Sequence, residues 1–241
     1  MALYRETGVV LRTIRLGEAD RIVTLLTEGR GKVRAVAKGV RKTKSRFGGR
    51  LEPVTHVSLQ LYEGRELDTI TQAETLDAFR VIREDLDRLA KATALLEVCD
   101  QVSQQGEANP GLYRMLVAAL RTLAARSSPL LVAGFFLKLL AQEGVHPVLD
   151  ACASCGSPAG DADLVAFDIG EGGALCRSCR RGTPVSPAAL GLLRLVLGGG
   201  LNRVLGEPAG PLASEVDALA TRAMEQHLER RLRAANTTLG L

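Results

Sequence analysis

The sequence has no tryptophan, only three histidines, and few aromatic residues, which make up 3% of its 241 residues. Its longest apolar run, from Leu130 to Leu137, is far shorter than the ~20 residues that a transmembrane helix needs. The first residues lack the apolar core of a signal peptide. Since 46% of the residues are hydrophobic and 24% are charged, the composition is that of a globular protein. We therefore expect a cytoplasmic protein that does not enter a membrane.

Acidic residues are absent from residues 30–50, where nine arginines and lysines occur. Residues 1–50 hold 13 basic and 4 acidic residues, a net charge of +9, whereas the whole chain carries only +4. The remainder of the chain therefore sums to −5. This asymmetry predicts an anionic partner for the N-terminal part, with nucleic acid as the first candidate and an anionic membrane surface as the second.

Five short segments rich in β-branched residues occupy the first 75 residues, and turn-forming residues separate them. The segments are residues 7–15, 21–27, 32–38, 54–62 and 66–72. The fourth alternates most clearly, because Val57, Leu59 and Leu61 share one face and leave His56 on the polar face, where we expect it to be solvated. Five strands with turns between them predict a small barrel, with the OB-fold as the best fit and an SH3-like barrel as the alternative.

From Leu76 onward the apolar residues recur at helical spacing, which predicts one long amphipathic helix that extends to Val102. Three later helices begin where a capping residue precedes a proline, at Asn109-Pro110, Ser128-Pro129 and Ser186-Pro187. A last helix is predicted from about residue 214 to residue 235. The predicted fold class is thus α+β with two domains, an OB-fold barrel over residues 1–75 and a helical domain over residues 76–241.

Four of the five cysteines form two Cys-x-x-Cys pairs, Cys152 with Cys155 and Cys176 with Cys179, separated by twenty residues. Two such pairs are typical of a structural zinc site, because four thiolates complete a tetrahedral shell and leave no open position. A redox pair, two disulfides and a site that has lost its metal are the alternatives. We expect one structural zinc ion in a module over about residues 150–182, inserted in the helical domain.

The basic segment combines a predicted strand face with the loop that follows it. Lys32, Arg34 and Lys38 alternate along the chain and so share one face of the strand. The residues predicted to bind nucleic acid are Lys32, Arg34, Lys38, Arg41, Lys42, Lys44, Arg46, Phe47 and Arg50. The cations are expected to contact phosphates, and Phe47, as the only aromatic residue in the loop, to stack on a base. The alternative is a solvated charged face.

No nucleophile paired with a base and no paired carboxylates are recognisable in the sequence, and His-Glu-x-x-His does not occur. The sequence therefore predicts a protein that is not an enzyme. A zinc-containing OB-fold protein that binds RNA or acts in translation is an alternative to a DNA-binding role, and competition between RNA and DNA would separate the two.

The first domain contains four further motifs, Gly8-Val9-Val10-Leu11-Arg12-Thr13, Gly17-Glu18-Ala19-Asp20-Arg21-Ile22, Gly31-Lys32-Val33-Arg34-Ala35-Val36-Ala37-Lys38-Gly39 and Ser45-Arg46-Phe47-Gly48-Gly49. These motifs resemble those of the bacterial RecO recombination mediators, and the resemblance in domain order extends over the whole chain. The resemblance implies a nucleoid-associated DNA repair protein that binds single- and double-stranded DNA and anneals complementary strands. With its partner RecR, such a protein helps to load RecA onto strands coated by single-stranded DNA-binding protein. No motif marks the residues that contact these partners.

Overall fold

The computed structural model describes residues 2–233, and its N-terminal part is a barrel of five strands. The strands are β1 (Leu3–Leu16), β2 (Asp20–Thr27), β3 (Gly31–Ala37), β4 (His56–Tyr62) and β5 (Asp68–Asp77). The strands follow the order β1-β2-β3-β5-β4, and the barrel closes because β1 also pairs with β4. All pairings are antiparallel except that of β3 with β5. The predicted five-stranded barrel is thereby confirmed.

Alternate residues of the strands fill the barrel interior, as the pattern of β4 predicted. In β3, for example, Val33, Ala35 and Ala37 are buried in the core, whereas the residues between them are only half-buried. Two further core residues come from outside the strands, from a 3₁₀ turn over Gly48–Leu51 and the residue before it. These are Leu51 and Phe47, each 1% exposed.

Residues 80–125 form three helices instead of the two predicted: α1 (Arg80–Glu84), α2 (Leu86–Val102) and α3 (Pro110–Ala125). The prediction of one helix from Leu76 is wrong, because β5 continues to Asp77 and the chain is extended at Asp85. The Asp85 side chain accepts the Arg88 N–H at 3.0 Å and so caps a new helix.

Contacts divide the chain into two compact units, residues 2–127 together with Arg233, and Ser128–Leu232. Helices α2 and α3 belong to the first unit because they pack on β1. The predicted boundary after residue 75 follows the change of secondary structure, whereas the boundary between compact units lies after α3.

The second unit consists of helices and an inserted sheet of three short strands. The helices are α4 (Leu131–Gln142), α5 (Pro187–Leu197), α6 (Leu201–Val204) and α7 (Pro211–His227). The strands are β6 (Leu164–Asp168), β7 (Gly173–Cys176) and β8 (Thr183–Pro184), in the order β7-β6-β8. The last helix ends at His227, earlier than predicted, and residue 235 lies outside the described residues. Over the described part of the chain, no helix is long and apolar enough to cross a membrane.

Candidate nucleic-acid interface and metal centre

The basic loop, residues 38–50, is held against the turn between β1 and β2. The Arg41 N–H donates to the Ala19 carbonyl at 2.9 Å, and the Gly39 N–H donates to Asp20 Oδ1 at 2.7 Å. The Arg41 guanidinium also donates to the Glu18 carbonyl at 2.8 Å. Gly39 has a φ of +69°, which a glycine adopts without the steric cost that a side chain would add. These contacts give the loop a defined path, although most of it lacks regular secondary structure.

The loop presents six exposed cationic side chains. They belong to Lys38, Arg41, Lys42, Lys44, Arg46 and Arg50. Within residues 2–233, no carboxylate forms an ion pair with any of the six. A phosphate could therefore approach them without displacing an acidic side chain. Six of the nine residues predicted to bind nucleic acid thus lie together on an accessible surface.

Lys32 and Arg34 are less available than the loop residues. The Lys32 side chain is 17% exposed, and its Nζ lies 3.2 Å from Oδ1 of Asp100 on α2. The other oxygen of that carboxylate, Oδ2, lies 2.5 Å from Arg12 Nε. Arg34 is half-buried, and its Nε has no hydrogen-bond partner among the described residues. Lys32 therefore links the barrel to α2, a position that the strand alternation alone did not predict.

Phe47 does not form the stacking surface for a base that the sequence predicted in the loop. Its side chain is 1% exposed because it packs into the barrel core, where a base cannot reach the ring. The Arg46 guanidinium lies over the ring, 4.9 Å from its centroid. Phe47 anchors the loop instead and leaves Arg46 at the surface.

His56 is buried, whereas the sequence pattern predicted a solvated side chain. It is 6% exposed, and its Nε2 lies 2.7 Å from the hydroxyl oxygen of Tyr113 on α3. Burial lowers its pKa below the usual value, and the positive charge of Arg121 lowers the pKa further. The polar face of β4 is thus covered by a helix at this position.

Sequence reasoning missed one exposed cation near the loop, Arg15. It pairs in register with Arg21, which in turn pairs with Ala37 at the end of β3. Arg21 is bound to Glu52 at 2.7 Å, whereas Arg15 forms no ion pair with any residue in the described part of the chain. The signal that could have identified Arg15 is the β1–β2 hairpin register, because it places Arg15 near the strand end from which the basic loop departs.

The four cysteines of the predicted module lie in one cluster. Their sulfur atoms are all within 4.8 Å of one another, and Sγ of Cys155 lies 3.8 Å from Sγ of Cys176. Zinc–sulfur bonds of about 2.3 Å in a tetrahedron also separate the sulfurs by about 3.8 Å. Among residues 2–233, no other group of three or more ligating side chains is close enough to hold a metal. The donor set and its spacing therefore fit a four-thiolate zinc site.

Backbone pairing brings the two halves of the cluster together. The chain around Val148 pairs with β7: the Ala174 N–H donates to the Val148 carbonyl, and the Ala153 N–H donates to the Ala174 carbonyl, both at 2.8 Å. The first cysteine pair ends in a turn at Gly156, whose φ is +77°. The second pair begins at the end of β7 with Cys176, so the β6–β7 hairpin returns it to the first pair.

The environment of the sulfurs favours thiolates on one side of the cluster. The N–H groups of Cys155 and Cys176 donate to Cys152 and lower its pKa to about 6. The Ser157 hydroxyl, 3.3 Å away, lowers the pKa of Cys155. The adjacent sulfurs of Cys155 and Cys176 raise the pKa of Cys179 to about 12. A cation at the centre would counter that increase, because a coordinated thiol is deprotonated.

The chain is similar to known DNA repair proteins over nearly its whole length. The family model described as Recombination protein O N terminal matches residues 1–79, and the model described as Recombination protein O C terminal matches residues 83–235. The DNA repair protein RecO of Nocardioides sp. is 44% identical over 238 residues, which cover 96% of this chain and 97% of that protein. The DNA repair protein RecO of Frankia casuarinae is 43% identical over 241 residues, with 97% of each chain covered.

Proposed function

The chain belongs to the RecO family of DNA repair proteins, and from this premise we propose that it is a DNA-binding recombination mediator that anneals complementary strands. In this role it binds single- and double-stranded DNA in the nucleoid and catalyses no covalent step. With RecR as its partner, it helps to load RecA onto DNA that is coated by single-stranded DNA-binding protein. The observation that carries the proposal is the set of six exposed cations of the basic loop, none of which forms an ion pair with a carboxylate of residues 2–233.

The charge of the loop provides a physical basis for annealing. Two strands repel each other through their phosphates, and each phosphate that a lysine or arginine neutralises releases condensed counterions. Phosphate contacts do not read sequence, so the loop can bind any strand. Because Phe47 is buried, no aromatic side chain of the loop stacks on the bases, which stay free to pair with a second strand.

The proposed metal at Cys152, Cys155, Cys176 and Cys179 is one zinc ion with a structural role. When bound, the ion cross-links two chain segments of a module that has only three short strands. Metal binding in such a module contributes directly to its folding free energy. No step of the proposed annealing involves the metal.

Strand annealing with the full-length protein tests the proposal. We expect the protein to accelerate the pairing of complementary oligonucleotides, including oligonucleotides coated by single-stranded DNA-binding protein. Simultaneous replacement of Arg41, Lys42 and Lys44 by alanine should remove most of that acceleration. A preference for RNA in a competition assay, with no acceleration of DNA pairing, would contradict the proposal and favour the RNA-binding alternative.

A matched control removes the same charge elsewhere in the first compact unit. Arg114, Arg121 and Arg126 on or next to α3 are also exposed. If their replacement by alanine impairs annealing as strongly as the loop variant does, net charge rather than the loop carries the activity.

A further inference from the structure

The second half of β1 has a partner strand on one side only. Residues 3–9 of β1 pair with β4, and Val10 bonds on the same side to Val54 and Thr55. Beyond the bulge that follows, residues 12–16 pair with β2 alone. The other side of residues 12–16 is the free edge, and within residues 2–233 no backbone group bonds to it.

The unpaired backbone groups of the free edge belong to Thr13 and Arg15. In an antiparallel ladder, the N–H and C=O groups of successive residues point alternately to the two neighbouring strands. Val10 bonds away from β2, and the bulge at Leu11 shifts the alternation by one residue. Thr13 and Arg15 therefore present two N–H and two C=O groups to the free edge, whereas Ile14 between them bonds toward β2.

The free edge is open to solvent. Ile14 is 45% exposed, Leu16 is 39% exposed, and Arg15 between them is also exposed. An unpaired strand edge is a template for another strand, and proteins commonly block it with proline or cover it with another element. Residues 12–16 contain no proline. The edge is thus available for pairing.

The free edge is complementary to itself when two copies run antiparallel about Ile14. Thr13 of each copy then lies opposite Arg15 of the other, and the two pairs exchange four backbone hydrogen bonds. Ile14 faces Ile14 across the pair, and Arg12 faces Leu16. No like charges lie opposite each other, and the central contact is between two β-branched side chains, so the side chains favour this register.

We propose that two DNA-bound copies of the chain pair through this edge, antiparallel about Ile14. This inference rests on the proposed DNA binding and adds how two strands are brought together. The two-fold axis of an antiparallel strand pair is perpendicular to the sheet, so it reverses the direction of whatever lies along the sheet. Strands that the two copies hold along the sheet in the same way therefore run antiparallel, as complementary strands must in order to anneal.

The basic loop lies at one end of the free edge. Arg41 donates to the carbonyls of Ala19 and Glu18, in the turn that follows the edge. In the antiparallel pair, each turn lies about four residues beyond Ile14 in opposite directions, so about 27 Å separates the two turns. Because this separation is well above the Debye length of about 8 Å, the charge of one loop does not prevent the other copy from pairing.

The edge is too short to hold two free copies together. Five residues of a strand span about 17 Å, whereas a stable interface buries about 1,200–2,000 Å² in total. We therefore expect a monomer in the absence of DNA. Pairing is expected where one DNA molecule holds two copies, because it raises their effective concentration.

Cross-linking at position 14 tests the pairing, because Ile14 lies on the two-fold axis and faces its own counterpart. The probe is a DNA fork whose duplex stem carries two oligothymidine arms of opposite polarity, which cannot pair with each other. With a short bismaleimide, we expect Ile14→Cys to form at least about fivefold more covalent dimer on the fork than without DNA. The control is Leu3→Cys, at a β1 position that is 48% exposed but lies at the other end of the strand. The unsubstituted protein measures the background from its own cysteines.

A second variant removes one hydrogen-bond donor from the free edge. Thr13→Pro leaves the β1–β2 ladder intact, because the N–H of residue 13 points away from β2. Thr13→Val is the matched control, since it keeps that N–H and a strand-forming side chain. We expect the proline variant to anneal complementary strands about fivefold to tenfold more slowly than the valine variant, because the pair loses two hydrogen bonds. Single-strand affinity and its salt dependence should be the same in both variants.

The inference is overturned if Ile14→Cys cross-links on the fork no more than Leu3→Cys does, or if the proline and valine variants anneal equally fast. If the unsubstituted protein binds no single strands or does not anneal them, the proposed function itself fails, so the two failures are distinguishable. Cross-linking at position 14 supports the inference even if the proline variant does not fold.

Discussion

The cysteine cluster and the basic loop show how differently two sites depend on the rest of the fold. The cluster is formed by two short pairs whose four sulfurs lie within 4.8 Å, as their spacing predicted. The basic segment, which combines the β3 face with the basic loop, was predicted to bind nucleic acid as a whole, but the structure separates its members: six loop cations are exposed, Lys32 is bound to Asp100 and Phe47 lies in the core.

The difference arises from the range of the interactions. A Cys-x-x-Cys pair needs only a local turn and one hairpin to present its ligands, so the motif nearly defines the site. A charged surface stays accessible only where no other element packs on it. The elements that do pack on the barrel, such as α2, are distant from the basic segment in sequence. The following predictions test this contrast, beginning with the largest expected effect.

Replacing Cys176 by serine should abolish zinc binding and destabilise the module by about 5 kcal/mol or more, because the metal contributes folding free energy. We expect hydrogen exchange to increase over residues 150–182, with the barrel strands unaffected. Zinc content and exchange-coupled mass spectrometry measure both effects. Cys99→Ala is the control, since Cys99 is buried outside the cluster and its loss should leave the zinc content unchanged. Unaltered zinc content in the serine variant would contradict the assigned ligands.

Replacing Phe47 by alanine should cost about 3–5 kcal/mol of stability, as expected for the loss of a buried aromatic side chain. Chemical denaturation measures the change. The Phe47→Leu variant, which keeps most of the apolar volume, should cost clearly less than Phe47→Ala and keep single-strand affinity, because Phe47 packs in the core rather than on a base. A stable alanine variant with a selective loss of single-strand binding would restore the stacking hypothesis.

Replacing Arg41, Lys42 and Lys44 by alanine should reduce the slope of log affinity against log salt by about 2, since each phosphate contact to a single strand contributes about 0.7. Titrations at several salt concentrations measure the slope. Lys32→Ala should change the slope by less than about 0.3, because its charge already pairs with Asp100. If Lys32→Ala changes the salt slope by as much per removed charge as the loop variant does, the Lys32 ammonium binds phosphate despite its ion pair with Asp100.

Stability should fall as the pH decreases below about 7, in part because of His56. Its pKa is lowered in the folded protein, mainly by burial, so the unfolded chain, with a pKa near 6.5, takes up a proton that the folded state does not. The resulting slope is at most about 1.4 kcal/mol per pH unit for one such group. Urea unfolding at pH 7.5 and 5.5 should show a smaller decrease for His56→Gln than for the unsubstituted protein. An identical decrease would mean that His56 is equally protonated in both states.

The sequence by itself determined the features that depend on local pattern. Alternation identified the strands, as in the buried Val57, Leu59 and Leu61, and the two cysteine pairs predicted the cluster. Asn109 and Ser186 were identified as helix caps, and each side chain accepts a backbone N–H as expected. These features need only a strand period, a turn or a cap, so a few neighbouring residues suffice.

Only the tertiary structure decided which side of a strand stays solvated. The alternation that buried Val57 placed His56 on the polar face, but Tyr113 of α3 covers it. The opposite occurs at Ile14, an apolar residue that is 45% exposed. Period-2 alternation distinguishes the two faces of a strand, but it does not reveal where a helix packs whose first residue, Pro110, lies 54 positions after His56. That position depends on the packing of α2 and α3, and it determines which residues of the barrel surface remain exposed.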